Sequence, residues 1–329
     1  MKEYILRRFV FMLVLLVLVS VFAFIVIQLP PGDYLSTYVS RLEQELGGEV
    51  DRAIIDGLRR DYGLDRSPVE QYFVWVGNMF KGNFGRSFEW RRPVIDLLAD
   101  RLPMTVALSL FTMGFTYLIA IPIGIFSARH QYSVFDYTFT SIGFLGLATP
   151  SFFLALVTLY FLLKVFGISA GGLYSIEYLN APMSVDKFLD MLGHLPLPIF
   201  IIGLSGTASI IRVLRGQVLD EIKRPYVVAA RARGLEENKL IYKYPVRVAI
   251  NPIVSSMGGM LSSIVSGATV TAIVINIPTI GSLLYTALLS QDMFLAGSCI
   301  MILTFLTVVG MFISDVMLVV VDPRIRLNK

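Results

Sequence analysis

Six apolar stretches, each near or above the length needed to cross a bilayer, dominate this chain of 329 residues. A spanning helix needs ~20 residues. Hydrophobic residues make up 55% of the chain, its mean hydropathy is +0.71, and its apolar share exceeds that of ordinary soluble domains. We therefore predict an all-α membrane protein with six transmembrane helices, at 9–29, 102–127, 137–163, 195–211, 252–276 and 294–321.

The basic residues predict the orientation. Between the fourth and fifth stretches lie nine basic residues and only four acidic ones, whereas the segments 164–194 and 277–293 contain no arginine. Basic residues also precede the first stretch and follow the last. Because short cytoplasmic loops carry an excess of lysine and arginine, we expect both termini and the 212–250 loop to be cytoplasmic.

This topology divides the chain into four parts. They are an N-terminal transmembrane helix at 1–29, an extracytoplasmic segment at 30–101, a five-helix core at 102–321 containing the loop 212–250, and a cytoplasmic tail at 322–329. The first stretch has no small-residue cleavage site, so we expect it to remain in the mature protein. One cysteine and two histidines provide neither a disulfide framework nor a metal site, and no lysine-rich run suggests nucleic acid as a partner.

A short basic segment at 223–234 reads as a small free-standing helix. Pro225 suits the first helical position and Gly234 the position just past the end, with alanines between them. A solvated loop that only enforces topology would carry the same charge. The signals that start and end a helix here favour a docking site for a cytoplasmic partner. It would be formed by Pro225, Tyr226, Val227, Ala229, Ala230, Arg231, Arg233 and Gly234.

Small residues recur every four positions along the fifth stretch. The row comprises Ser255, Gly259, Ser263, Gly267 and Thr271, and a second row of Gly258, Ser262 and Ser266 runs beside it. Small side chains let another backbone approach closely. Packing inside the monomer, a subunit interface and the wall of a translocation path all fit this pattern.

Three features of the sequence bear on other functions. Asp315 lies within the sixth stretch and would suit an ion-driven transporter, but a structural salt bridge or cap is favoured because no further acid lies at membrane depth. Asp292 is expected to be solvated. Gly203-Leu204-Ser205-Gly206 resembles the motif of intramembrane serine proteases, yet both histidines, His130 and His194, precede the serine, so a packing site is favoured.

Several motifs together resemble the membrane subunits of ATP-binding-cassette importers, in the dipeptide and oligopeptide group, nearly end to end. The motifs are Ile5-Leu6-Arg7-Arg8, Leu29-Pro30-Pro31-Gly32-Asp33, Tyr62-Gly63-Leu64-Asp65, Gly82-Asn83-Phe84-Gly85 with Ser87, Thr149-Pro150-Ser151-Phe152, Tyr226 to Gly234 with Asn251-Pro252, and Asp315 with Val321-Asp322-Pro323-Arg324-Ile325. The stretch from Tyr226 resembles the coupling-helix loop of these permeases. Val228, Ala272 and Thr279 depart from the wider family's pattern.

The resemblance implies the type I importer permease fold and a multi-pass location in the cell (inner) membrane. It implies a second homologous permease subunit, two cytoplasmic ATPase subunits and an extracytoplasmic substrate-binding protein as partners. The chain itself has no P-loop, so it would be a transport subunit rather than an enzyme, with ATP and magnesium bound only by the ATPases. Short peptides are the implied cargo, with oligosaccharides or nickel as alternatives. A bulky acid at Ala230 or Gly234 is expected to uncouple ATP hydrolysis from uptake.

Overall fold

The computed structural model describes residues 2–28, 39, 43, 52–61, 65–87 and 89–321. Apart from one isolated bridge between Arg86 and Pro93, every regular element in these ranges is helical. The α-helices are α1 (Lys2–Gln28), α2 (Arg52–Asp61), α3 (Pro68–Phe80), α4 (Val94–Arg129), α5 (Val134–Ala148), α6 (Ser151–Phe166), α7 (Val185–His194), α8 (Pro196–Ile222), α9 (Pro225–Ala232), α10 (Glu237–Lys243), α11 (Pro245–Ala249), α12 (Asn251–Ile275), α13 (Ile280–Leu289) and α14 (Met293–Val321).

The predicted spans correspond to long apolar helices, two of which are bent. Helices α1, α4 and α14, and the stretch Val185–Ile222 that comprises α7 and α8, are each long and apolar enough to cross a membrane, and there are up to six spans among the described residues if each bent pair counts as one. One pair is α5 and α6, at 103°, and the other is the two halves of α12, at 47°. The all-α fold with multiple spans is thereby confirmed.

Two of the predicted helices differ from those in the structure. The stretch 137–163 was expected to be one helix, but it breaks at Thr149-Pro150, because a residue before proline is driven out of the helical region. The fourth span was expected to end at Arg212, but α8 continues to Ile222. Its last turns pack Leu214 and Val218 into the core, which sustains the helix beyond the apolar stretch.

One compact unit comprises residues 10–103 and 279–306. Its core joins the start of α4 to α13 and α14 through Val94, Leu98, Ile280, Leu295 and Cys299. The expectation that Asp292 is solvated is wrong. Its carboxylate is fully buried, accepts a 2.6 Å hydrogen bond from the Ser87 hydroxyl, and caps α14 by accepting from the Leu295 amide.

The other unit comprises residues 1–9, 104–278 and 307–329, and α8 is its central helix. Helix α8 packs against α5, α6, α11 and α12. Glycines allow these close approaches: a Cβ at Gly124 of α4 would lie 3.2 Å from Leu214, and one at Gly146 of α5 would lie 3.0 Å from Leu204. Because α8 packs closely against these helices, a displacement of α8 would also displace most of this unit.

Some sequence motifs fall outside the described residues. These are 29–33, 62–64, the C-terminal 322–325 motif and the tail to 329, together with the side chain of Ser262. The division into four domains and the orientation of the termini stay predictions.

Candidate functional site: the segment between α8 and α12

The basic segment forms a short helix, as predicted. Helix α9 runs from Pro225 to Ala232, with Arg224 as the extended residue before it. Proline fits the first position because the amide that it lacks would have no partner within the helix. Gly234 follows with φ of 79°, a left-handed conformation that suits glycine at the end of a helix.

The helix is not free-standing, however, and this expectation is wrong. Val227 is 0% exposed and Ala230 is 7% exposed, since both pack into a core cluster with Leu214 and Val218 of α8 and Leu240 of α10. The same cluster includes Ile125 and Ala128 of α4. The spacing of Val227 and Ala230 puts one face of α9 against the protein, so α9 is packed onto the rest of this unit along that face. We call these buried contacts the seat of α9.

Polar contacts strengthen this seat. The Arg231 guanidinium donates two hydrogen bonds, of 3.0 and 2.7 Å, to the Glu237 carboxylate at the start of α10. These bonds lower the pKa of Glu237 and raise that of Arg231, so the pair is ionised at neutral pH. Arg129 at the end of α4 donates a 2.6 Å hydrogen bond to Asn238. Helices α4, α9 and α10 are thus linked side chain to side chain.

The junction between α8 and α9 is also fixed. The Tyr226 hydroxyl donates a hydrogen bond to the Glu221 carboxylate in the last turn of α8. Burial and this carboxylate raise the pKa of Tyr226 to about 12, so the phenol remains a hydrogen-bond donor at physiological pH. Arg224 lies 3.6 Å from Glu221 across the same junction. The orientation of α9 relative to α8 is therefore set by both packing and hydrogen bonding.

The outward face of α9 is apolar and small. Val228 is 52% exposed, and Ala229 and Ala232 lie exposed beside it, together with the ring of Tyr226. Arg233 lies exposed at the edge of these apolar side chains. We call Tyr226, Val228, Ala229 and Ala232 the α9 patch. Ala230 lies outside it, and Gly234 needs its positive φ, so acids at those two positions would damage the segment itself rather than test docking.

A buried ion pair that the sequence reasoning missed lies at the base of α5. Arg215 of α8 donates two 2.7 Å hydrogen bonds to the carboxylate of Asp136, which is 2% exposed. Asp136 also accepts from the Tyr132 amide, and Ser133 caps the helix. The two residues are 79 positions apart, so only the fold brings them together. The pair fixes α5 to the part of α8 that leads to α9.

The small-residue rows on α12 divide between packing and an open surface. Gly258 is buried against α14, and Thr271 is buried and shares a 2.8 Å hydrogen bond with Ser151. Ser255, Gly259, Ser263 and Gly267 are exposed, and a Cβ added at either of these two glycines would meet nothing within 4 Å. Packing inside the unit thus accounts for Gly258 and Thr271. The exposed members of the first row, Ser255, Gly259, Ser263 and Gly267, form what we call the open strip, and Ser266 of the second row is exposed as well.

Adjacent glycines provide a direct test of this division. A Cβ at Gly258 would lie 2.5 Å from the Met311 Cα, so Gly258→Ala must push α12 and α14 apart. We expect Gly258→Ala to destabilise the isolated chain by about 1–3 kcal/mol, and Gly259→Ala to be neutral or to stabilise it by up to about 1 kcal/mol. Thermal unfolding of the two variants in detergent measures this, and equal behaviour would contradict the division.

Two remaining candidate residues have structural roles. Asp315 lies 3.2 Å from the guanidinium of Arg8, in agreement with the favoured salt bridge. Gly203 and Gly206 lie at close helix contacts, where an added Cβ would come within 3.0 Å of Phe115 and 2.8 Å of Met260, respectively. This agrees with a packing site around Ser205. The contacts of Asp315 and of the segment around Ser205 are thus those of structural residues.

Two parts of the chain match known families of membrane transport proteins. Residues 120–327 match the family described as binding-protein-dependent transport system inner membrane component. Residues 1–109 match the N-terminal part of the binding-protein-dependent transport system membrane component. The two matches together cover nearly the whole chain.

Individual relatives match from end to end. The oligopeptide transport system permease protein AppB of Bacillus subtilis is 31% identical, over 99% of this chain and 100% of the relative. The dipeptide transport system permease protein DppB of Lactococcus lactis is 27% identical, over 99% and 100%. The peptidoglycan transport system permease protein YejB of Agrobacterium fabrum is 27% identical, over 100% and 99%.

Proposed function

Because this chain belongs to the family of inner membrane components of binding-protein-dependent transport systems, we propose that it forms half of the transmembrane pathway of an ATP-driven importer of short peptides. The observation that carries the proposal is the end-to-end match to permeases named for oligopeptides and dipeptides. It is a multi-pass membrane protein, and the inner membrane is its proposed location.

The proposed assembly contains a second homologous permease, two cytoplasmic ATPase subunits and an extracytoplasmic substrate-binding protein. ATP and magnesium bind the ATPases and not this chain. In this assembly the α9 patch docks on an ATPase subunit, and the open strip of α12 faces the second permease or the pathway. Support comes from an apolar patch on a helix that is otherwise seated in the protein.

The contacts that hold α9 against its neighbours would transmit a displacement of α9, driven by the ATPases, to the rest of the permease. ATP can shift the permease only if the ATPases hold α9 differently in their two states. A displacement of α9 then reaches α8 through Val227, α10 through Arg231 and Glu237, and α4 through Asn238 and Arg129. The continuous helix α8 carries it toward α5 and α12.

A cell-wall peptide fragment is a second candidate cargo, favoured by the similarity to a permease named for peptidoglycan. The exposed residues of the open strip on α12 are neutral, and neutral small residues discriminate poorly between a peptide and a sugar chain. Oligosaccharides and nickel are therefore alternative cargoes.

Uptake in a strain lacking this chain tests the proposal. We expect import of radiolabelled trialanine to be lost and to return when the gene is restored, whereas uptake of radiolabelled nickel and of a labelled oligosaccharide should not change. Loss of nickel or oligosaccharide uptake with trialanine uptake intact would replace the peptide assignment. Unchanged uptake of all the probes, including a labelled peptidoglycan fragment, would contradict the transport function for these cargo classes.

A further inference from the structure

The segment between α6 and α8 has the reverse of the side-chain arrangement expected in a water-exposed loop. It spans residues 167–194 and contains a short 3-10 helix, Ile176–Tyr178, followed by α7. Several polar side chains are turned inward and hydrogen-bonded, whereas most of the large apolar side chains point outward. The segment lies wholly within the unit that contains α8.

The inward polar contacts are specific. Lys187 is buried: its ammonium group donates a 2.6 Å hydrogen bond to the Ala181 carbonyl and lies 4.6 Å from the centroid of the Tyr174 ring. The Asp190 carboxylate accepts hydrogen bonds of 2.6 and 2.8 Å from the hydroxyl and amide of Ser175. A loop surrounded by water would have no need to turn a lysine inward, since water solvates an ammonium group well.

The outward side chains form an apolar surface. Ile176 is 85% exposed and Val185 is 75% exposed. We define the α7 surface as Ile176, Leu179, Met183, Val185, Phe188 and Leu189. Soluble surfaces rarely gather this many large apolar side chains, so the α7 surface marks a site of contact with another apolar phase or molecule.

Helix α7 presents three distinct sides. Val185, Phe188, Leu189 and Leu192 are exposed at the i, i+3, i+4, i+7 spacing of one helix face. Lys187 and Asp190 lie on the opposite side, against the protein. Asp186 and Gly193 are exposed at one edge between these two sides. A helix at a membrane surface meets protein, lipid and water in this way.

The position of α7 identifies the apolar phase. Only Leu195 interrupts the helix between α7 and α8, and the stretch long and apolar enough to cross a membrane runs through both, from Val185 to Ile222. Because its 38 residues exceed the ~20 that cross the hydrocarbon core, α7 forms an end of this span rather than its middle. We propose that the α7 surface lies in the bilayer interface, with its apolar side chains at the boundary between lipid headgroups and acyl chains. The segment then anchors this end of α8 at the membrane surface.

Composition favours lipid over a protein partner. The six side chains of the α7 surface are aliphatic, methionine or phenylalanine, and none is tryptophan, tyrosine or arginine. Arginine is typical of the energetically important centres of protein–protein interfaces, whereas leucine and valine, which provide three of the six side chains, are under-represented there. The assignment goes beyond the proposed transport function and holds for any cargo.

Site-specific fluorescence quenching tests this proposal. Single cysteines at Val185, Leu189 and Asp186 of the full chain, purified with its natural partner subunits, are labelled with the fluorophore NBD and reconstituted into phosphatidylethanolamine–phosphatidylglycerol liposomes. The wild-type chain is the labelling blank, because its one cysteine, Cys299, is buried. We expect lipids with a doxyl group near the headgroup to quench the labels at 185 and 189 several-fold more strongly than the label at 186, and aqueous iodide to show the reverse order.

Two results would overturn the assignment. Strong iodide quenching at 185 and 189 without doxyl quenching would place the α7 surface in water. Protection of both positions from doxyl lipid and from iodide would show that a protein covers it. Fluorescence quenching and trialanine uptake are independent measurements, so failure of this proposal is distinguishable from failure of the proposed function.

Discussion

Replacement of Ala229 by glutamate is expected to lower peptide uptake at least about tenfold while the chain remains folded and in the membrane. Ala229 is exposed in the α9 patch, so a glutamate there costs the free chain little. When a partner covers the patch, the unpaired carboxylate loses its water, which costs about 2–5 kcal/mol, and each 1.4 kcal/mol corresponds to about a tenfold change. Trialanine uptake and membrane abundance, measured together, check this result.

The matched controls lie at the same and the next position. Ala229→Ser keeps a small side chain and should retain most of the uptake. Ala230→Glu places a charge in the core cluster with Val227 and Leu240, so it should reduce the abundance of the folded chain as well as uptake. Normal uptake by Ala229→Glu would contradict docking through the α9 patch. Normal abundance of Ala230→Glu would contradict the packing of this face of α9 into the core cluster.

Removal of the Asp136 carboxylate should produce the largest loss of stability away from α9. Asp136→Ala leaves the Arg215 guanidinium, which is partly buried, without the two 2.7 Å hydrogen bonds. Breaking a buried ion pair on one side costs about 3–5 kcal/mol, and we expect the lower end because Arg215 retains some contact with water. The temperature at which half of the monodisperse chain is lost on size-exclusion chromatography measures the effect.

An exposed aspartate on α8 provides the control. Asp220→Ala should change stability by less than about 0.5 kcal/mol, since surface substitutions away from special contacts have small effects. Replacing both members of the pair, as Asp136→Leu with Arg215→Met, should recover part of the loss because no charge is then left unpaired. A single Asp136→Ala variant as stable as Asp220→Ala would show that the pair does not hold α5 to α8.

Local signals predicted much of this molecule. The apolar stretches predicted the spans because transfer into lipid depends on the residues of one stretch alone. Pro225 and Gly234 predicted the ends of α9 because both act on the backbone at their own positions. Pro150 carried an equally local signal for the break between α5 and α6, yet the long apolar run from 137 to 163 was interpreted as one helix.

What could not be predicted depends on contacts distant in sequence. Ser87 and Asp292 are 205 positions apart, so the sequence predicts a solvated aspartate where the structure has a buried and hydrogen-bonded one. The same holds for Asp136 with Arg215, and for the burial of Val227 and Ala230 by α8 and α10. The α9 patch could be defined only after the seated face was known.

The most direct test of the central claim is photo-crosslinking from the α9 patch. A photoreactive amino acid is placed at Val228 in the full transporter, with one at the buried position Val227 as the matched control. We predict that Val228 crosslinks to an ATPase subunit with a yield that changes between the ATP-bound and nucleotide-free states, whereas Val227 crosslinks only within the chain. Crosslinks from Val228 that never include an ATPase subunit in either state would contradict the account.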